Sequence, residues 1–314
     1  MGSYSNNITR SDFAIDLKST LFSGQSFSWN YSHDKHHYYA SVFGNNALLL
    51  RQIDSNTIEF RFTGNAIGGL PIDEFIRQYL SLDIDPEQIF PDSFQEFYPE
   101  IWNLIKRYLP VRVIRQDPFE TLVTFMCAQG IGMGLIRRQV SMIAERYGDK
   151  LVIETETGSL LLHTFPTPQA LAGADVNELA MCTNNNRARA SNIIAMARSF
   201  ESGALALTCV QAGVCPLDTL RDSLCVHRGI GMKIADCVAL FGLGRFDAFP
   251  IDTHVKQYLW EWFGIEAARS SLTERNYRYL QDEARKILGE KYAGYAGHIL
   301  FHCWRTEIRK MTAF

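Results

Sequence analysis

The stretch from Pro216 to Tyr258 constrains this chain more than any other. A proline at the first helical position gives up no hydrogen bond, so Pro216 can open a helix. Leu217, Leu220, Leu224 and Val226 then recur at roughly helical spacing. Gly229 and Gly231 break the pattern with a tight turn inside His227-Arg228-Gly229-Ile230-Gly231-Met232-Lys233. A second helix follows, with Ile234, Cys237, Val238 and Phe241 on one face. Helix, glycine hairpin and helix, at about residues 216–242, present backbone N–H groups at a helix start, where a nucleic-acid phosphate fits.

Lys233 lies at the start of the second helix, where the partial positive charge disfavours an ammonium. A neutral lysine is a nucleophile. The run Phe249-Pro250-Ile251-Asp252-Thr253-His254-Val255 comes next and supplies a carboxylate. Asp252 also reads as an N-cap, because an apolar periodic run (Val255, Tyr258, Leu259) begins just after it. Taken singly, Gly-x-Gly-x-Lys is a weak motif and Asp252 a plain helix cap. The two in one run are more specific.

Gly-Ile-Gly-Met-Lys-Ile-Ala-Asp-Cys followed by Pro-Ile-Asp-Thr-His-Val resembles the helix-hairpin-helix DNA glycosylases, and most of all the 8-oxoguanine DNA glycosylases. The resemblance implies a base-excision enzyme with Lys233 as nucleophile and Asp252 as its acidic partner. It also implies that backbone carbonyls of Cys225, His227 and Ile230 hold a monovalent cation. His254 reads as support for the Asp252 turn.

Composition narrows the alternatives. The 314 residues allow two or three packed units, and 46% hydrophobic content suffices for sizeable cores. The net charge of −3 advertises no global basic field, so any DNA footprint is local. Arg112 with Arg115, Arg137 with Arg138, and Arg187 with Arg189 are candidate patches or ordinary solvated faces. The seven cysteines form no Cys-x-x-Cys pair, which argues against a disulfide framework and fits a reducing, intracellular compartment, cytoplasmic (nucleoid-associated) or nuclear. They also lack the four-cysteine cluster of the iron–sulfur glycosylases. No apolar stretch reaches membrane-span length, and Met1 to Arg10 does not read as a signal peptide.

The expected architecture is α+β. Residues 1–110 form an N-terminal antiparallel sheet domain, and 111–314 an all-helical glycosylase core. Tyr38 to Phe43, Ala47 to Ile53 and Thr57 to Phe62 read as strands separated by Gly-Asn-Asn and Asp-Ser-Asn turns, and Ile72 to Leu82 reads as a helix. From Val111 onward the pattern is helical, with helices expected at Pro118 to Cys127, Leu135 to Tyr147, Pro168 to Ala172 and Ala190 to Phe200. His163 to Ala174 otherwise reads as a loop.

Further positions carry the resemblance. Phe22-Ser23-Gly24-Gln25-Ser26-Phe27-Ser28-Trp29 resembles a family motif whose glycine contacts the damaged base, which maps to Gly24; a bare strand or turn glycine is the alternative. Arg187-Ala188-Arg189 is similar to a motif whose first arginine lies near the estranged base. Phe301 matches the aromatic residue that stacks on the base, and would otherwise be a core aromatic. Elsewhere the chain departs from the family. Gly130, Ile131 and Gly132 replace asparagines and Leu135 replaces an arginine, so Gln129, on a turn similar to that of the wider superfamily, is the wedge candidate or a simple turn residue. Asn186 replaces an aromatic wedge, and Gly297 a glutamine that reads the base edge. His227 and Arg228 replace Leu-Pro, and Arg228 either adds a phosphate contact or is merely exposed.

The function implied is a bifunctional DNA glycosylase/AP lyase that excises an 8-oxoguanine-like purine from duplex DNA, as a monomer, with no required cofactor beyond a possible structural cation. The alternatives are a glycosylase for another damaged base and a non-catalytic helix-hairpin-helix DNA-binding protein.

Overall fold

The computed structural model describes residues 7–31, 37–155, 158–205 and 215–311. In chain order they form β1 (Asn7–Arg10), α1 (Leu17–Phe22), β2 (Asn30–Tyr31), β3 (Tyr39–Phe43), β4 (Asn46–Gln52), β5 (Thr57–Phe62), the short pair β6 (Ala66–Ile67) and β7 (Leu70–Pro71), and α2 (Ile72–Tyr79). Next come α3 (Asp92–Phe97), α4 (Pro99–Ile105), α5 (Pro118–Cys127), α6 (Met133–Tyr147), β8 (Lys150–Thr155), β9 (Gly158–His163), α7 (Pro168–Ala172), α8 (Val176–Cys182) and α9 (Arg187–Glu201). The last helices are α10 (Leu217–Cys225), α11 (Met232–Cys237), α12 (Thr253–Glu261), α13 (Glu274–Leu288) and α14 (Ala293–Cys303).

The three strands expected from alternation and turn residues form the middle of a five-stranded antiparallel sheet of order β1-β5-β4-β3-β2. Its register pairs Tyr39 with Leu50 and Leu48 with Phe62. Ala47, Leu48, Leu49 and Leu50 are all buried, so β4 is covered on both faces and reads as a continuous apolar run. One cover is the β8–β9 hairpin, whose Ile153 and Leu162 join Tyr38, Ala40, Ala47 and Leu49 in one core cluster. The sequence reads as helical from Val111 onward, and this hairpin departs from that reading. Its signal is the alternation in Leu151, Ile153, Leu160 and Leu162, while Val152 and Leu161, paired across the hairpin, face solvent. In Trp29 the indole is fully buried and donates to the Tyr79 hydroxyl at 2.8 Å, tying the end of the aromatic-rich motif to α2.

The chain folds as two compact units. One comprises Met1–Asp83 with Val123–Ala206, and the other Ile84–Leu122 with Leu207–Phe314. The sequence suggests two consecutive blocks, whereas the compact units interleave along the chain. The physical reason lies in segment 84–122, which is mostly helical and packs with the C-terminal helices. In it, Arg112 donates to the Ile84 carbonyl at 2.8 Å, and the Gln116 amide to the Phe241 carbonyl at 2.7 Å. Helix was expected from Val111 onward, but 111–117 is non-helical and α5 begins at Pro118. Among the described residues no helix is long and apolar enough to cross a membrane.

The arginine pairs divide by function. Arg112 is fully buried, Arg115 lies 5.1 Å over the Phe246 ring, and Arg137 lies 5.0 Å over the Phe22 ring while donating to the Trp29 carbonyl. Arg112 with Arg115 is therefore an internal brace and no surface patch. Arg138 and Arg187 are exposed, and Arg189 is buried.

Candidate active site

Helix α10 buries Leu217, Leu220 and Leu224 as the periodicity predicts. Val226, expected on the same stripe, lies beyond the helix end and is 78% exposed. The chain turns there. The Ile230 amide donates to the His227 carbonyl at 3.2 Å, and Gly229, third residue of that turn, has φ +85°, a conformation L side chains rarely adopt. Gly231 is the N-cap of α11 and offers no side chain to the first amides of the helix. Beyond Cys237 the helix widens into a π-helical turn over Val238–Gly242. A Cβ at Gly242 would lie 3.0 Å from the Pro118 Cα, a tight contact.

Lys233 is half-buried on the first turn of α11, and Cys237 lies one turn further along. Lys233 hydrogen-bonds the Cys237 thiol. Burial pushes that thiol up to about 12, against the pull of Lys233, and the Asp252 carboxylate is close enough to push it up further. One buried sulfur thus feels the charge of both the amine and the acid. Asp252 is the N-cap of α12, its carboxylate accepting the Val255 amide at 2.9 Å. The cap fixes the carboxylate on the backbone at the start of α12.

A buried carboxylate sets this geometry. Asp236 is fully buried three residues after Lys233. Its Oδ1 accepts Arg221 Nε at 2.7 Å, and its Oδ2 accepts the Tyr277 hydroxyl at 2.8 Å and Gln281 Nε2 at 2.7 Å. The Tyr277 hydroxyl in turn accepts the Ile251 amide at 3.0 Å, and Gln281 Nε2 also donates to the Phe249 carbonyl at 2.8 Å. Burial raises the Asp236 pKa, and Arg221, Tyr277 and Gln281 pull it back. With donors at both oxygens, the ionised form suits the site. The network joins the helix carrying Lys233 to the backbone immediately before Asp252. Sequence reasoning misses it because a single Asp at mid-helix gives no periodic or motif signal.

The ring of Phe301 is half-exposed on α14. His254 meets it edge-on at 5.9 Å, His298 stacks against it at 6.0 Å, and the Arg305 guanidinium lies 5.5 Å from its centroid. Burial lowers the His254 pKa, with Arg305 and Arg309 acting in the same direction and Asp252 opposing. His298 is pushed down to about 3 by burial, with His302 and Arg305 adding to it. A Cβ at Gly297 would lie 2.4 Å from Cε2 of Phe249, so the Phe249 ring takes the space of any side chain. The Gly297 carbonyl accepts the Tyr258 hydroxyl at 3.3 Å.

Among the carbonyls expected to hold a cation, that of His227 already accepts one amide and keeps its second lone pair. Cys225 ends α10, where helix carbonyls lack intrahelical partners. Such oxygen donors suit a hard monovalent ion.

Gly24, Gln129 and Arg187 lie in the other unit. Gly24 follows α1 with φ +96°, which glycine tolerates. Gln129 is exposed on the turn between α5 and α6, its carbonyl held by Arg189 Nη2 at 2.7 Å. Asn186 caps α9 by accepting the Arg189 amide at 2.9 Å, so an asparagine where an aromatic was expected has a structural task. Arg187 is exposed on the first turn of that helix.

Comparison with known proteins matches residues 126–282 to the HhH-GPD superfamily of base excision DNA repair proteins, half of the chain, and residues 7–122 to the 8-oxoguanine DNA glycosylase N-terminal domain. The chain belongs to the HhH-GPD base excision repair superfamily. Among individual relatives, it is 25% identical to an N-glycosylase/DNA lyase of Saccharomyces cerevisiae, over 90% of this chain and 80% of that protein. It is 24% identical to N-glycosylase/DNA lyase OGG1 of Arabidopsis thaliana, over 94% of this chain and 78% of the relative. Its fold is similar to that of MBOgg1 solved with a low-affinity DNA ligand, with a TM-score of 0.78, 27% identity, and coverage of 97% of this chain and 99% of the other. An 8-oxoguanine glycosylase/lyase of Clostridium acetobutylicum, solved with DNA, shares the fold at a TM-score of 0.77 and 22% identity, over 99% of both chains.

Three outcomes are expected here. Asp236→Ala removes the buried partner of Arg221 Nε, leaving that arginine only the exposed Asp218, and should cost about 3–5 kcal/mol, read from urea unfolding. Gly297→Gln supplies an amide yet forces its Cβ into Phe249, so a loss of about 1–3 kcal/mol is expected in the same measurement. His298 is neutral in the folded protein, whereas the unfolded chain binds a proton below about pH 6.5. Its contribution is therefore complete above that pH and is lost as pH falls toward about 3. Urea midpoints between pH 7 and pH 4 should fall more steeply in the wild type than in His298→Asn.

Proposed function

We propose that this protein is a bifunctional DNA glycosylase/AP lyase that removes an 8-oxoguanine-like oxidised purine from duplex DNA in base excision repair. The observation that supports the reading is that Lys233, at the start of the second hairpin helix, and Asp252, at the start of α12, both act electrostatically on the buried Cys237 thiol. The relatives' names and the DNA-bound neighbours support the same activity.

The DNA binds with the damaged nucleotide extruded from the stack. Lys233 Nζ attacks the sugar C1′, the N-glycosidic bond breaks, and its electron pair leaves with the base. Asp252 stabilises the positive charge developing on the sugar and receives the proton released by the amine. Loss of the ring oxygen from C1′ gives a Schiff base, from which abstraction of a C2′ proton expels the 3′ phosphate by β-elimination. Phe301 stacks on the extruded base, and Gly24 contacts it through the main chain. Gln129 enters the gap left in the duplex, its backbone clamped by Arg189, while Arg187 meets the estranged partner base. Amides of the Gly229–Gly231 turn hold a backbone phosphate, and His254 supports the Asp252 turn. Carbonyls of Cys225, His227 and Ile230 hold a monovalent cation that stiffens the hairpin, and no other cofactor is required. The protein acts as a monomer, inside the cell, where the DNA is.

A second reading, excision of a different damaged base, is favoured by Gly297, whose place leaves no room for an amide that reads a base edge. A panel of lesion duplexes with each opposite base separates the two.

Borohydride should trap a covalent adduct between the wild type and lesion DNA, and Lys233→Gln should abolish it. A Lys233→Gln enzyme that still traps would refute the nucleophile assignment.

A further inference from the structure

Beside the Phe301 ring lies a cation that the glycosylase mechanism does not use. Arg305 comes four residues after Phe301, on the π-helical turn Trp304–Ile308 that extends α14. Residues at that spacing meet on a helix face, and the guanidinium lies over the Phe301 ring. The residue is only 5% exposed. Its charge is felt by His254 and it feels Asp252 in turn, so it stands at the acid end of the site. No carboxylate among the described residues forms an ion pair with it. This is unlike Arg221, Arg245 and Arg278, each of which is paired.

Buried guanidiniums are normally paired. Arg305 has no ion pair among the described residues, yet none of its nitrogens is a fully buried, unbonded atom, so the fork is open to an arriving group. The chain retains this guanidinium beside the half-exposed face of the base-stacking aromatic. Nearby, the position expected to supply a hydrogen-bonding amide is a glycine closed off by Phe249. The missing partner of Arg305 is then an acceptor that arrives with the ligand. The planar fork of arginine suits a carbonyl oxygen with an adjacent ring nitrogen, or two phosphate oxygens.

Building on the glycosylase/lyase function, we propose that Arg305 is a binding residue of this site, donating to an oxygen of the extruded nucleotide. The two possible sources are the base carbonyl and the nucleotide's own phosphate, and the test separates them.

The test uses the full chain with Arg305→Gln and Arg305→Lys. Single-turnover base release from the lesion duplex should fall by about ten- to a hundredfold in R305Q, the range expected for one lost charge-assisted hydrogen bond. R305K, which keeps the charge and loses the fork, should recover only part of it. Affinity is then measured for two uncleavable duplexes, one with a 2′-fluoro lesion nucleotide and one with a tetrahydrofuran abasic analogue. Weaker binding of the lesion duplex alone assigns the contact to the base, and weaker binding of both assigns it to the phosphate. If R305Q melts well below the wild type, R305K decides. Wild-type base release and wild-type affinity for both duplexes, in the folded variants, would overturn the proposal. Borohydride trapping on a preformed abasic site keeps the two readings apart. A wild type that fails to trap strikes the glycosylase/lyase reading, whereas a wild type that traps, with variants equal to it on every substrate, strikes this one alone.

Discussion

The buried carboxylate of Asp236 sets the geometry on which the chemistry of this protein depends. A charge this deep is tolerable only when both oxygens are satisfied, and the chain draws the three donors from two other helices, α10 and α13. Two of them are shared. The Tyr277 hydroxyl donates to Asp236 and accepts the Ile251 amide, and Gln281 donates to Asp236 and to the Phe249 carbonyl. The helix bearing Lys233 cannot shift relative to the segment bearing Asp252 without breaking hydrogen bonds in a medium where replacing them with water is not an option. Reaction of an amine at a sugar carbon tolerates little misplacement, and a polar hub gives directional restraint that apolar packing does not.

Several departures from the family pattern make sense once their neighbours are known. Asn186 stands where an aromatic wedge was expected, and its side chain caps α9. Gly297 stands where an amide was expected, and the ring of Phe249 occupies the volume. That same Phe249 contributes its carbonyl to the Asp236 hub through Gln281. The glycine and the hub are thus linked through one residue. With no side chain at 297, the ring of Phe249 closes against α14.

The parts of the fold legible in the sequence are those with a local or periodic signature. Strands β3 to β5 show themselves by alternation and turn residues, α10 by its leucines, and the cap at Asp252 by the apolar run that begins at Val255. The hairpin turn is legible because Gly229 needs a positive φ. The illegible parts depend on contacts distant in sequence. Arg112 and Arg115 look like a basic pair, and only the fold shows one bonded to the Ile84 carbonyl and the other laid on Phe246. Val226 fits the leucine stripe by spacing, yet the helix ends before it. The interleaving of the two units rests on segment 84–122 siding with the C-terminal helices, which no local pattern encodes. Within the site, Lys233 and Asp252 are readable through motif and position. Asp236, three residues from the lysine, is not, because its meaning lies in Arg221, Tyr277 and Gln281.

The same economy accounts for a DNA-repair protein with a net charge of −3. Arginines that a surface count would assign to phosphates are spent inside the protein. Arg189 clamps the Gln129 carbonyl, Arg137 braces Phe22 and Trp29, and Arg221 neutralises Asp236. Arg138, Arg187 and Arg228 are among the cations that stay exposed. Backbone amides carry no net charge and do not depend on a basic surface. A helix-start site therefore lets an acidic protein grip a phosphate at one place without attracting DNA over its whole face, and an enzyme that must examine one extruded nucleotide gains more from that local grip than from a global field.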